Sequence, residues 1–145
     1  MATRYDLTVE GKPLSQQRPM VTRSGHTVSN RGPNRVWMEK VREHVRRQWF
    51  EKGKPEPIES CSLTLEFTIP IANKKKWGEK HVSRPDIDNI AKLVMDAMGS
   101  GRRDVLYNGI LKDDSVVHSL TVKKVYGKVG SVRIIVEDDE DDEPV

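Results

Sequence analysis

Apolar residues along the chain come in short blocks, each with its own period, separated by polar stretches rich in glycine and proline. The first block, "RYDLTVEG", alternates, so Tyr5, Leu7 and Val9 share one face and a strand is predicted. Residues 11 to 33 have little apolar periodicity and carry Lys12, Arg18, Arg23 and Arg31. So long a loop in a compact domain is usually functional or partly disordered. The period then changes: Trp37, Val41, Val45 and Trp49 recur every four residues and predict a helix over roughly 34 to 52 with that stripe inward. "IESCSLTLEFTIP" returns to alternation, with Cys61, Leu63, Leu65, Phe67 and Ile69 on one face. A basic loop, "IANKKKWGEKHVS", leads into "RPDIDNIAKLVMDAM", whose stripe of Ile87, Ile90, Val94 and Ala97 or Met98 predicts a second helix. "GSGRRDVLYNG" is a turn-rich connection, and "VVHSLTVKKVYG" and "SVRIIVED" predict two final strands around a turn at Gly127 to Gly130.

The order is β-α-β-α-β-β. It implies an α+β fold, a small mixed sheet of about four strands with two main helices packed on it. At 145 residues the chain fits one domain, expected over 1–136, with 137–145 as an acidic and disordered tail. There is no internal repeat.

Charge changes the picture. The net +3 hides an asymmetry, because seven of the 22 acids lie in the last nine residues. The remainder holds 25 bases against 15 acids, a net of +10. A body that basic points to a polyanion, nucleic acid above all, with a merely basic protein as the plain alternative. A single cysteine, Cys61, excludes an internal disulfide and a cysteine-rich zinc site and fits a reducing compartment. No stretch is long and apolar enough for a signal peptide or a membrane span, so a cytoplasmic protein is expected.

The carboxylates around the second helix admit two readings. Pro85 disfavours a helical Arg84, which makes Asp86 a candidate N-cap accepting from the amides of Asp88 or Asn89. Asp88 in the first turn suits the helix dipole, by about 0.3–1 kcal/mol. Capping thus explains both residues without chemistry. The other reading starts from geometry. An extended Asp86 can converge on Asp88, and Asp88, Lys92 and Asp96 follow one another at four-residue spacing on one helix face. A second acidic pair, Asp113 and Asp114 in "GILKDDSVV", stands directly before a strand. Carboxylates about 4 Å apart repel by about 4 kcal/mol at an effective dielectric near 20, so a cluster would need a cation. Oxygen donors without His or Cys suit Mg²⁺ or Mn²⁺. Such a site in a basic body suits phosphodiester hydrolysis, with Lys92 stabilising developing charge.

Taken together, "RPDIDNIAKLVMDAM" and "GILKDDSVV" resemble the RusA family of Holliday-junction resolvases. The pattern is an Asp-x-Asp-Asn helix start, a lysine four residues after the second Asp, an Asp four further on, and an Asp-Asp pair before a strand. The match is strongest over 84–117; the other strands resemble the family more loosely. The resemblance implies a homodimeric, Mg²⁺-dependent endonuclease that nicks opposing strands of four-way DNA junctions, with Mn²⁺ able to substitute. Its acidic metal site falls on Asp86, Asp88 and Asp114, with Asp113 a further candidate, and its essential lysine on Lys92. Pro85 stands where some members carry a basic residue, and Arg84 can take that role on DNA. The acidic tail lies outside the family pattern.

Other basic residues also have two readings. Lys74, Lys75, Lys76 and Lys80 can meet DNA phosphates with Trp77 stacking on a base, or form a solvated charge run with Trp77 packed on its own domain. Arg18, Arg23 and Arg31 grip phosphates or serve solubility. The four histidines show no ligand spacing, and Cys61 belongs to the core. The expected function is junction resolution in DNA recombination and repair, encoded by a bacterium or its phage. The alternatives are a non-catalytic DNA-binding protein and a metal-dependent nuclease of flaps or RNA.

Overall fold

The computed structural model describes residues 4–28, 30–99 and 109–139. Four strands form one mixed sheet: β1 (Arg4–Glu10), β4 (Cys61–Pro70), β5 (Val117–Gly127) and β6 (Ser131–Asp138). Two helices, α1 (Pro33–Glu51) and α2 (Ile87–Met98), pack against each other and against the sheet. The expected α+β architecture and element order are present.

The sheet order is β1-β6-β4-β5. β6 runs antiparallel to both its neighbours, and β4 and β5 are parallel. The strands flanking the turn at Gly127 to Gly130 are therefore not partners, because β4 lies between them. Parallel β4 and β5 need a crossover, and the crossover carries α2. That places the acidic helix directly beside the edge strand β5.

β4 is central and alternates strictly. Cys61, Leu63, Leu65, Phe67 and Ile69 are buried, and the intervening residues are half-buried on the other face. Each fully buried Leu, Ile or Phe side chain contributes about 1.5–3 kcal/mol. From the helices come Trp37, Val41, Val45 and Trp49 on α1, and Ile90, Leu93, Val94, Ala97 and Met98 on α2. Ile87, expected in that stripe, is 40% exposed. It sits at the first helical position.

The long first loop has structure of its own. Met20–Val21 (β2) and Thr27–Val28 (β3) form a short antiparallel hairpin that periodicity could not reveal. The loop turns off β1 at Gly11, at φ 147°, where a Cβ would lie 2.6 Å from the Trp37 ring. Further on, the Gln16 amide donates to the Asn89 carbonyl at 3.1 Å, fastening the loop to the first turn of α2.

The boundary expected between 136 and 137 falls inside β6, which continues through Asp138. Asp139 is also held: its amide donates to the Ser60 carbonyl at 3.1 Å, and its carboxylate meets Ser60 Oγ and His118 Nε2. Residues 140–145 of the tail and 100–108 of the turn-rich connection lie outside the described residues. Among the described residues no helix is long and apolar enough to cross a membrane.

Candidate active site

The chain enters α2 through Asp86, whose extended backbone (φ −69°, ψ 141°) makes it the N-cap. The Asp86 carbonyl accepts the first helical bond from the Ile90 amide at 3.1 Å. Its carboxylate makes no capping bond. Asp88 Oδ1 instead accepts from the Asn89 amide at 3.0 Å. The capping reading thus holds for the Asp86 backbone and fails for its side chain, leaving an exposed carboxylate.

The approach to Asp86 is held from β5. Lys124 Nζ donates to the carbonyls of Ser83 and Pro85, at 2.9 and 2.8 Å. Lys124 pairs in register with Phe67, so it stands on the helix-facing side of the sheet. Sequence reasoning passed over this residue. The available signal was its place in the Leu120, Val122, Lys124 alternation, a charge on an otherwise apolar row. Beside it His81 is buried, its ring centroid 4.8 Å from that of Tyr126. Burial, and then the Lys124 ammonium, push the His81 imidazole below its ordinary pKa.

Between α2 and β5 lies a cavity of about 430 Å³. Asp88, Lys92 and Asp114 line it together, over an apolar floor that includes Ala91, Met95 and Val122. Asp114 arrives from a short 3-10 turn, Asp114–Val116, at the foot of β5. The helical spacing of Asp88 and Lys92 and the parallel β4–β5 crossover bring these two neighbours and the distant Asp114 to one opening. Asp86 is not among the lining residues. Asp113 is exposed, and its carboxylate accepts from Ser115 Oγ at 2.8 Å, which with backbone amides holds its pKa below the usual value.

Asp96, one turn beyond Lys92, is half-buried and meets Asp114. Burial raises its pKa most; Lys92 opposes the rise, and the charge of Asp114 and a hydrogen bond to it add to it. The two side chains are thus hydrogen-bonded across the gap between α2 and the foot of β5. Among the described residues no three His, Cys, Asp or Glu side chains are gathered closely enough to hold a metal ion. The donor chemistry nevertheless fits a hard divalent cation. All candidate donors are carboxylate oxygens, Asp88 and Asp114 line one cavity, and exposed Asp86 and Asp88 are not fixed by packing.

The basic candidates divide. Arg18, Arg23, Lys74, Lys75, Lys76, Lys80 and Arg84 are exposed. Arg31 is half-buried, and one of its guanidinium nitrogens donates to the carbonyls of Arg18 and Val28, both at 3.2 Å, so it braces the hairpin. Trp77 is half-buried, with Nε1 donating to the Ile71 carbonyl at 2.9 Å, which favours packing on its own domain over base stacking. Arg42 was legible only as a residue off the core stripe. It donates to the carbonyls of Asp96 and Ala97, at 3.1 and 3.3 Å, and satisfies the C-terminal end of α2.

A profile of endodeoxyribonuclease RusA matches residues 10–137. The chain is 25% identical over 138 residues to a protein named crossover junction endodeoxyribonuclease rusA from Lactococcus phage r1t, covering 92% of this chain and 96% of that one. It is 26% identical over 152 residues to the uncharacterized protein YqaN of Bacillus subtilis (strain 168), covering 90% and 94% respectively. With the match spanning the β4–β5 crossover and the whole α2–β5 cavity, the chain belongs to the RusA family of endodeoxyribonucleases.

Proposed function

We propose that this protein is a Mg²⁺-dependent, structure-selective endonuclease that resolves four-way DNA junctions by paired symmetric nicks, in recombination and repair. The observation that carries the reading is the convergence of Asp88, Lys92 and Asp114 on one cavity in a chain of this family. The curated phage relative's name supports the choice of a crossover junction as substrate. In this reading the protein acts as a homodimer in the cytoplasm, since two-fold symmetry offers two equivalent sites to two equivalent strands.

Asp86, Asp88 and Asp114 would hold the Mg²⁺, for which Mn²⁺ can substitute. A bound divalent ion supplies an acidified water and neutralises charge on the phosphate. Lys92 lies on the same cavity wall and places its ammonium where a phosphate oxygen or the departing oxygen becomes negative. Water attacks phosphorus in line, the P–O3′ bond breaks, and the ends are 5′-phosphate and 3′-hydroxyl. Asp96 takes a supporting place by orienting Asp114. Exposed Arg18, Arg23, Lys74, Lys75, Lys76, Lys80 and Arg84 supply phosphate contacts, which fix position on DNA without reading sequence.

The test is one assay on purified protein. Labelled four-way junction, flap, duplex and RNA are each incubated with Mg²⁺, Mn²⁺ or EDTA. The reading expects paired nicks on the junction with either metal and none in EDTA. Cleavage confined to flaps or RNA would transfer the site to another substrate, and no cleavage of any branched DNA would leave a binding protein.

A further inference from the structure

A second cavity, of about 580 Å³, opens between α1, the β2–β3 hairpin and the end of α2. Its size falls within the range of small-ligand sites. Arg35 and Arg42 from α1 line it, with His26 from the hairpin, Gln16 and Asn30 from the first loop, and Asp96 from α2. Two guanidiniums face one carboxylate. Asp96 also contacts Asp114, which lines the catalytic cavity, so the two cavities are linked through this pair.

The walls are built in advance. Arg42 is fixed by its two bonds to the last turn of α2. Asn30 is buried, donates to Gln16 Oε1 at 2.9 Å and accepts from the Gln17 amide at 3.0 Å, which sets the Gln16 side chain. Those bonds occupy Gln16's acceptor and leave its amide NH₂ to donate. Arg35 pairs through Nε with Glu39 on its own helix at 3.2 Å, a contact that leaves its terminal nitrogens to donate elsewhere. The donors thus outnumber the acceptors, which suits an anion with several oxygens.

A DNA strand carries one phosphate per about 3.4 Å of axis, so a strand reacting at Asp88 and Asp114 brings neighbouring phosphates past the Asp96 wall. We propose that this second cavity binds a backbone phosphate of the cleaved strand, close to the reacting one, through Arg35 and Arg42 with His26 and Gln16 as hydrogen-bond donors. The inference rests on the nuclease reading above and adds a subsite that orients the strand. The site takes the phosphodiester group and no particular base, so it acts on position and affinity and not on sequence preference.

The experiment measures binding of the full chain to a labelled four-way junction in EDTA across a salt series, with wild type, Arg35→Ala, Arg35→Lys and His26→Ala. Arg35 and His26 are exposed, and an unchanged unfolding midpoint confirms that each variant folds. Arg35→Ala is expected to lower the slope of log affinity against log salt by about one, and Arg35→Lys to retain it. Junctions carrying a single neutral methylphosphonate near the nick locate the contact. At one position wild type and Arg35→Ala should become equal. Equal slopes for wild type and Arg35→Ala on unmodified DNA, or a difference that persists at every methylphosphonate position, overturn the subsite. Wild type that binds no DNA overturns the nuclease reading along with it.

Discussion

Asp96 and Asp114 meet carboxyl to carboxyl, one from the last turns of α2 and the other from the foot of β5. Their contact couples the helix that carries Asp88 and Lys92 to the strand that completes the site. If Asp96 orients Asp114 through the hydrogen bond between them, an amide, which always carries a donor, should serve nearly as well. Asp96→Asn is therefore expected to keep nicking close to wild type, whereas Asp96→Leu leaves Asp114 unoriented. Partners of this kind typically contribute about 10–100-fold to metal affinity or activity. Single-turnover nicking over a Mn²⁺ titration checks this; equal loss in both variants would make Asp96 a direct participant.

Lys124 fixes the chain as it enters α2 by donating to the carbonyls of Ser83 and Pro85. Hydrogen bonds from a charged donor are each worth about 1.5–3 kcal/mol, less where a freed carbonyl regains water. Lys124→Met should lower stability by about 2 kcal/mol in urea unfolding. It should also weaken the response to Mg²⁺ more than it weakens junction binding in EDTA. A variant as stable and as metal-responsive as wild type would show the clasp to be idle.

His81 supplies a pH dependence. Burial and the Lys124 ammonium depress its pKa, so the folded protein binds this proton less well than the unfolded chain, whose imidazole titrates near about 6.5. The resulting stability is fully present above that pH and declines as pH falls through about 6.5 toward the lower folded value. Urea midpoints between about pH 7.5 and 5.5 should drop in wild type and drop less in His81→Gln. Parallel curves would mean that His81 keeps its ordinary pKa in the fold.

Leu65 sits at the centre of the central strand, fully buried between Ile134 of β6 and Val122 of β5 in register. Leu65→Ala removes its packing and leaves a cavity, which should cost about 2–5 kcal/mol. Chemical unfolding reads this directly, and a cost below about 1 kcal/mol would place the core elsewhere.

Much of the fold was legible because its signals are local. Alternation in "CSLTLEFTIP" and the four-residue spacing of Trp37, Val41, Val45 and Trp49 gave faces that match the burial pattern. Strand order was not legible: whether β6 pairs with β5 or inserts between β1 and β4 depends on contacts between distant segments. The spacing of Asp88, Lys92 and Asp96 was readable on one helix, and "DDSVV" marked the second acidic pair. The meeting of Asp114 with Asp96, and the direction of the Lys124, Arg31 and Arg42 side chains, are tertiary facts with faint sequence signals. Ile87 misled because helical period says which face a residue is on and not whether anything covers that face at the helix end.

The central claim is that Asp88 serves the chemistry and not the fold. Its side chain bonds only the adjacent Asn89 amide among the hydrogen bonds found for the described residues, so Asp88→Asn should fold normally. The decisive measurement is junction binding in EDTA alongside nicking in Mg²⁺ for Asp88→Asn. The account predicts binding close to wild type with nicking reduced by about 10²-fold or more. Normal nicking by this variant would contradict the mechanism.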